Sequence, residues 1–142
     1  MIVVDCSILI SGLLPDETET EGKFLLGNLR DGVTGAVVPS LFYQEISNVL
    51  LMAYRRNRIS REAMLQYLNV VTILPITIDI EAATQGNTMK TVCELADKYG
   101  LTTYDASYLE LAIRRDFPLA TLDTDLHNVA AELGIAYQIP IN

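Results

Sequence analysis

Four acids occupy positions where an acid is either out of place or set at the end of a strand. Asp5 directly follows the apolar run Ile2-Val3-Val4, and Asp123 follows Leu119-Ala120-Thr121 with one residue between. Glu45 has Leu41 four residues before it and Val49 four after, while Asp105 has Leu101 four before and Leu109 four after. Residues at that spacing share one face of a helix, so both acids lie within or at the border of an apolar face. A charge buried alone is costly, and such groups are usually paired or bound to metal. Carboxylates held close together repel, and some take up protons unless a cation joins them. Mg²⁺ and Mn²⁺ prefer hard oxygen ligands, and a site of this kind can activate a water and stabilise charge on a phosphodiester. Each acid also has a plainer reading. Asp5 and Asp123 could cap helices, Asp105 could be a first-turn acid favoured by the helix dipole, and Glu45 could hold its carboxylate in water. The stronger argument is that all four converge on one edge.

That edge follows from the elements. Ile2–Val4 reads as a buried strand, leading into a helix from Ile8 to Leu13 that Ser7 could cap and Pro15 ends. A second helix spans 17–30, with Gly32 as its stop, and Ala36–Val38 is the next buried strand. Ser40 is a candidate cap for a helix from Leu41 to about Arg56, and Ser60 for another to about Val70. Thr72 to Ile76 is β-rich, but Pro75 confines it to a sheet edge. Residues 79–99 are mostly helical with a break at Gly86-Asn87, and Gly100 stops them. A helix from Thr103 to Arg115, a strand over 119–121, a helix from Thr124 to Gly134 and a final strand over 135–137 complete the chain. Short apolar strands alternating with helices predict an α/β fold, a three-layer α/β/α sandwich around a mostly parallel sheet, with residues 1–142 as one domain. Ligands bind such sheets beyond the carboxyl ends of the strands, where Asp5 and Asp123 fall.

Composition narrows the chemistry further. Half of the 142 residues are apolar, enough for a core without disulfides or a structural metal. No stretch of about 18 residues is free of charge, so a membrane span is not expected. Asp5 interrupts the apolar opening, and no basic residue precedes it, unlike a secretory leader. Cys6 and Cys93 match no metal or redox motif and read as reduced thiols in a cytoplasmic protein. The net charge of −8 argues against a broad basic face that coats nucleic acid. His127 is the only histidine and lies among helix residues, so a Ser–His or Cys–His site has little to rest on. There is no GxxxxGK and no GxGxxG. An aspartyl-phosphate phosphatase would want an acid two residues after Asp5, where Ser7 stands.

The same residues resemble a known family. VVDCSILISGLL is similar to the opening strand and helix of PIN domains, with Asp5 as the first acid. VPSLFYQEISNVL resembles the second block, with Glu45, and LTTYDASYLELAIRRDFPLATLDTDL resembles the third and fourth, with Asp105 and Asp123. A stand-alone domain of this length further resembles VapC-type toxins of toxin–antitoxin pairs. The resemblance implies a Mg²⁺- or Mn²⁺-dependent endoribonuclease that hydrolyses RNA with a metal-activated water, is restrained by a cognate antitoxin and forms a homodimer. It implies Asp5, Glu45, Asp105 and Asp123 as metal-binding and catalytic residues, with Ser7, Thr121 and Asp125 in support. The alternative is a catalytically weak PIN fold that binds RNA or a protein partner. Phosphate contacts would come from Arg55, Arg56, Arg58 and Arg61, or from Arg114 and Arg115. Tyr43, Tyr54, Tyr67, Leu51 and Met52 divide between core and a dimer or antitoxin surface.

Overall fold

Strands of three residues or fewer suffice here because helices cover them on both faces. In the computed structural model, which describes residues 1–139, β1 (Ile2–Val4), β2 (Ala36–Val38) and β4 (Leu119–Ala120) are buried throughout. β3 (Ile76–Ile78) is the partly exposed edge. The sheet order is β3-β2-β1-β4, and every pairing is parallel. The chain steps from β1 to β2 to β3, then crosses back to place β4 on the other side of β1. Crossovers that follow the right-handed rule for parallel strands put α1 (Cys6–Leu13), α2 (Thr20–Arg30), α3 (Phe42–Arg55) and α4 (Arg61–Ile73) on one face. They put α5 (Glu81–Thr84), α6 (Gly86–Tyr99) and α7 (Thr103–Arg115) on the other. The packing of α1 on α2 and α3, and of α6 on α7, agrees with this division. α8 (Thr124–Glu132) packs on α7 and β4. The predicted α/β/α sandwich is therefore the observed one, and its sheet is wholly parallel.

Two helices that carry acids are fixed by deep apolar faces. α3 buries Phe42, Ile46, Leu50 and Ala53. α7 buries Ala106, Tyr108, Leu109, Leu111 and Ala112. Behind Asp5, α1 and α2 touch backbone to backbone at two glycines. A Cβ at Gly12 would lie 2.4 Å from the Gly22 carbonyl oxygen, so no larger residue fits without parting the helices.

Several local expectations are corrected. Ser7 lies inside α1 rather than capping it; Asp5 holds the cap position, and the Ser7 hydroxyl bonds to Asp5 instead. Ser40 does not cap α3, whose cap position is Leu41 without a side-chain bond. Ser60 does cap α4, accepting from the Ala63 amide at 3.0 Å. Thr72 and Ile73 are helical, and the strand begins only after Pro75. Proline disfavours helix in the residue before it, which places Leu74 in extended conformation (ψ 150°) and delays the strand to Ile76. The expected final strand reduces to a single parallel bridge between Leu119 and Ala136. Gly100 and Gly134 stop their helices with positive φ, as expected.

Candidate functional site

The order of the strands reverses between β1 and β4, and a crevice opens beyond their carboxyl ends, where α/β sheets bind ligands. A cleft of about 360 Å³ there is lined by Asp5, Glu45, Asp105 and Asp123 together, along with Ser7 and Asn48. Each acid reaches it from a different element. Asp5 is the residue at which β1 becomes α1, and its amide donates to the Ala120 carbonyl at 2.9 Å. Its side chain is 6% exposed and makes no cap bond. Instead, Oδ2 accepts from Ser7 Oγ at 2.6 Å and from Thr121 Oγ1 at 2.7 Å. Those hydroxyls each receive a backbone N–H, from Leu122 onto Ser7 and from Asp123 onto Thr121, both at 3.0 Å. The result is a clasp that binds the end of β1 to the loop after β4 and aims Asp5.

The other three acids share cleft and cap duties. Asp123 is the N-cap of α8, where Oδ1 accepts from the Leu126 amide at 2.9 Å. Asp105 sits in the first turn of α7. Thr102 Oγ1 donates to its Oδ2 at 2.6 Å, and the Asp105 amide donates back to that hydroxyl at 3.1 Å. Glu45, in the first turn of α3, is half-buried and accepts from the Tyr108 hydroxyl of α7. The plain readings of Asp123 as a cap and of Asp105 as a first-turn acid are thus correct, and both acids still line the cleft.

The electrostatics of the cleft work against two of its charged carboxylates. Burial raises the Asp5 carboxyl above its ordinary value of 3.8, and the charge of Asp105 adds to this, while the bonds from Ser7 and Thr121 work against it. Glu45 is likewise raised above 4.5 by burial, with the charges of Asp5 and Asp105 adding and the Tyr108 bond opposing. A cation relieves both penalties. Among the described residues, no three acids stand close enough to grip a metal directly. An all-oxygen set at that spacing fits a divalent ion that keeps much of its water, as Mg²⁺ does. Two acids raised in the folded state bind more protons there than in the unfolded chain. Metal-free stability should therefore rise as pH falls from 7 towards these groups' ordinary values. Melting temperatures in chelator across that range test it, and a monotonic fall on acidification would refute it.

Other predicted residues are placed elsewhere. Asp125 is exposed on the first turn of α8 and does not line the cleft. His127 is exposed and makes no side-chain hydrogen bond among the described residues. Cys6 lines the cleft, but burial and the charges of Asp5 and Glu45 push its thiol up, which leaves it unreactive. Cys93 is exposed and unpaired with Cys6. Arg114 and Arg115 are not free for phosphate: they bind Asp79 at 2.5 and 2.9 Å, and Arg114 also binds Glu110 at 2.7 Å and Glu81 at 3.2 Å. Arg58 is held by Asp16 and Glu17. Arg55, Arg56 and Arg61 are exposed without an ion pair among the described residues. Tyr43 and Tyr67 pack partly buried on the core, Leu51 and Met52 are intermediate, and Tyr54 is exposed. Sequence reasoning missed Tyr108 and Thr102. A tyrosine on a fully apolar helix face, three residues after an acid, was the available signal, since a buried phenol needs a partner.

The comparisons with known proteins bear on the family and the fold. The PIN domain family model matches residues 2–132. No protein of curated function matches the chain. Among solved structures, PAE2754 from Pyrobaculum aerophilum is 21% identical, with 94% of this chain and 88% of that one aligned at a TM-score of 0.65. VapC20 from Mycobacterium tuberculosis, described as a Sarcin-Ricin loop cleaving toxin, is 12% identical. It aligns over 99% of this chain and 100% of its own at a TM-score of 0.64. At those identities the two structures speak for the fold, while the family match covers most of the sequence, and the chain belongs to the PIN-domain family.

Proposed function

We propose that the chain, read as one domain, is a Mg²⁺- or Mn²⁺-dependent endoribonuclease, the toxin of a type II toxin–antitoxin pair that acts in the cytoplasm. The observation that carries this reading is the convergence of Asp5, Glu45, Asp105 and Asp123 on one cleft at the β1/β4 reversal. The fold shared with VapC20, described as a Sarcin-Ricin loop cleaving toxin, supports it. A divalent ion bound there supplies Lewis acidity towards a phosphodiester and lowers the pKa of water. The protein's part is placement. Asp5, clasped by Ser7 and Thr121, presents its free oxygen to the ion. Asp105 and Asp123 would add their carboxylates, directly or through water, and Glu45 would complete the set or orient the attacking water. Arg55, Arg56 and Arg61 are the arginines left to meet phosphate, and a cognate antitoxin and a second copy of the chain are the partners.

The test is cleavage of a structured RNA by the purified protein with Mg²⁺, with Mn²⁺ or with chelator. Cleavage should require metal and return when metal is restored; cleavage indifferent to chelator, or none with either ion, overturns the reading. One observation favours a second reading, a PIN fold that binds RNA without cutting it: no three acids stand at direct coordination distance of a common ion. Metal-independent RNA binding without cleavage would select it.

A further inference from the structure

Glu45 has one hydrogen-bond donor among the described residues, the hydroxyl of Tyr108. Tyr108 belongs to α7, which also carries Asp105 three residues earlier, so the bond joins the helix of one cleft acid to the side chain of another. The Tyr108 side chain is fully buried between α7 and the core, and its ring has no freedom to follow a moving partner. The bond engages Oε2 alone. Oε1 of Glu45 has no hydrogen-bond partner among the described residues, and Glu45 lines the cleft while Tyr108 does not. A phenol at neutral pH is a donor to a carboxylate and in its neutral form a poor ligand for a hard divalent ion. A rigid donor on one carboxylate oxygen fixes which oxygen the other groups meet, as outer partners of metal-binding residues do.

From this geometry we propose that Tyr108 is a positioning residue for divalent-cation binding: it pins Glu45 through Oε2 and leaves Oε1 for the ion. The inference rests on the cleft being a cation site. Glu45 sits on α3 and Asp105 on α7, and α3 packs on α1 while α7 packs on β1. The Tyr108 bond is the direct side-chain link between α3 and α7 among the described residues. Without it Glu45 is free to turn to water, since its carboxylate is only half-buried.

The experiment measures Mn²⁺ affinity by electron paramagnetic resonance on the whole chain, as wild type, Tyr108→Phe, Glu45→Gln and the double variant, with melting temperatures alongside. Phe keeps the ring in the core, and the released carboxylate reaches water, so the variant folds. Loss of an outer hydrogen-bond partner typically weakens metal binding by about 10- to 100-fold, and Tyr108→Phe should fall at the lower end of that range. The double variant should bind no more weakly than Glu45→Gln alone, because the hydroxyl acts only through that carboxylate. If Tyr108→Phe binds Mn²⁺ as wild type does, the inference is overturned while the proposed function stands. An equal loss on top of Glu45→Gln also overturns it, by showing a structural role. If the wild type itself binds no Mn²⁺, the cleft is no cation site and both readings fall together.

Discussion

Asp5→Asn should lose metal-dependent RNA cleavage while keeping the fold and its metal-free stability. Asp5 is 6% exposed and its carboxylate is held by two hydroxyls at 2.6 and 2.7 Å, so an amide of the same shape occupies the same place. What changes is charge. Burial and the Asp105 charge already raise the Asp5 carboxyl, so the charged form is unfavourable in the metal-free protein. Removing that charge takes away both penalties, and the melting temperature in chelator should stay level or rise. In the proposed site the same charge is what a divalent ion would need. Even changing an outer partner of a metal site costs about 10- to 100-fold in affinity or activity, so losing an inner acid should cost at least about 100-fold in cleavage. The paired readout matters because a merely destabilised protein would lose both. A variant that cleaves RNA at the wild-type rate with Mg²⁺ removes Asp5 from the proposed site. A fall in metal-free melting temperature of several degrees would instead mean that Asp5 acts as a structural acid.

Much of this arrangement was legible in the sequence, for reasons that differ by residue. The runs Ile2–Val4 and Ala36–Val38 are too short and too apolar for anything but strands covered on both sides, and both are found as such. Glu45 and Asp105 stood out because they interrupt helical apolar spacing, and both line the cleft. Side-chain pairings across the fold were not legible. Ser7 has the chemistry of a cap, but Asp5 and the Leu122 amide claim its hydroxyl through contacts made only when β1 and β4 lie side by side. Arg114 and Arg115 looked like free cations because Asp79 is distant in sequence from both. The end of α4 deceived for a local reason: Thr72 and Ile73 favour strands, but both are exposed and simply continue the helix, with the Thr72 hydroxyl bonding back to the Asn69 carbonyl, until Pro75 ends it.

The network that claims those arginines yields the second large effect. Arg114→Met should destabilise the protein by about 3 kcal/mol at neutral pH, the lower end for breaking a buried ion pair. The Asp79 side chain is 0% exposed and that of Glu110 7%, so neither carboxylate can replace the arginine with water. The loss stays at the lower end because Arg115 continues to bind Asp79 at 2.9 Å and because Arg114 itself is 22% exposed. For a chain of this length that corresponds to a fall in melting temperature of about 10 °C. The pH dependence has a definite sign. Burial alone would raise the Asp79 carboxyl, but its bonds to Arg114 and Arg115 outweigh this and hold it below its ordinary 3.8. A lowered acid contributes stability above its unfolded value and loses it as pH falls through the folded value. The difference between wild type and Arg114→Met should therefore be greatest near neutrality and shrink below pH 3.8, where a protonated Asp79 needs no partner. This is opposite in sign to the Asp5 and Glu45 effect and lies in a lower window, so one set of melts in chelator separates them. The network also fixes the second half of α7, whose first turns carry Asp105 and Tyr108 to the cleft. A loss below about 0.5 kcal/mol, the range of ordinary surface substitutions, would show that water reaches the network and that α7 is held by its apolar face alone.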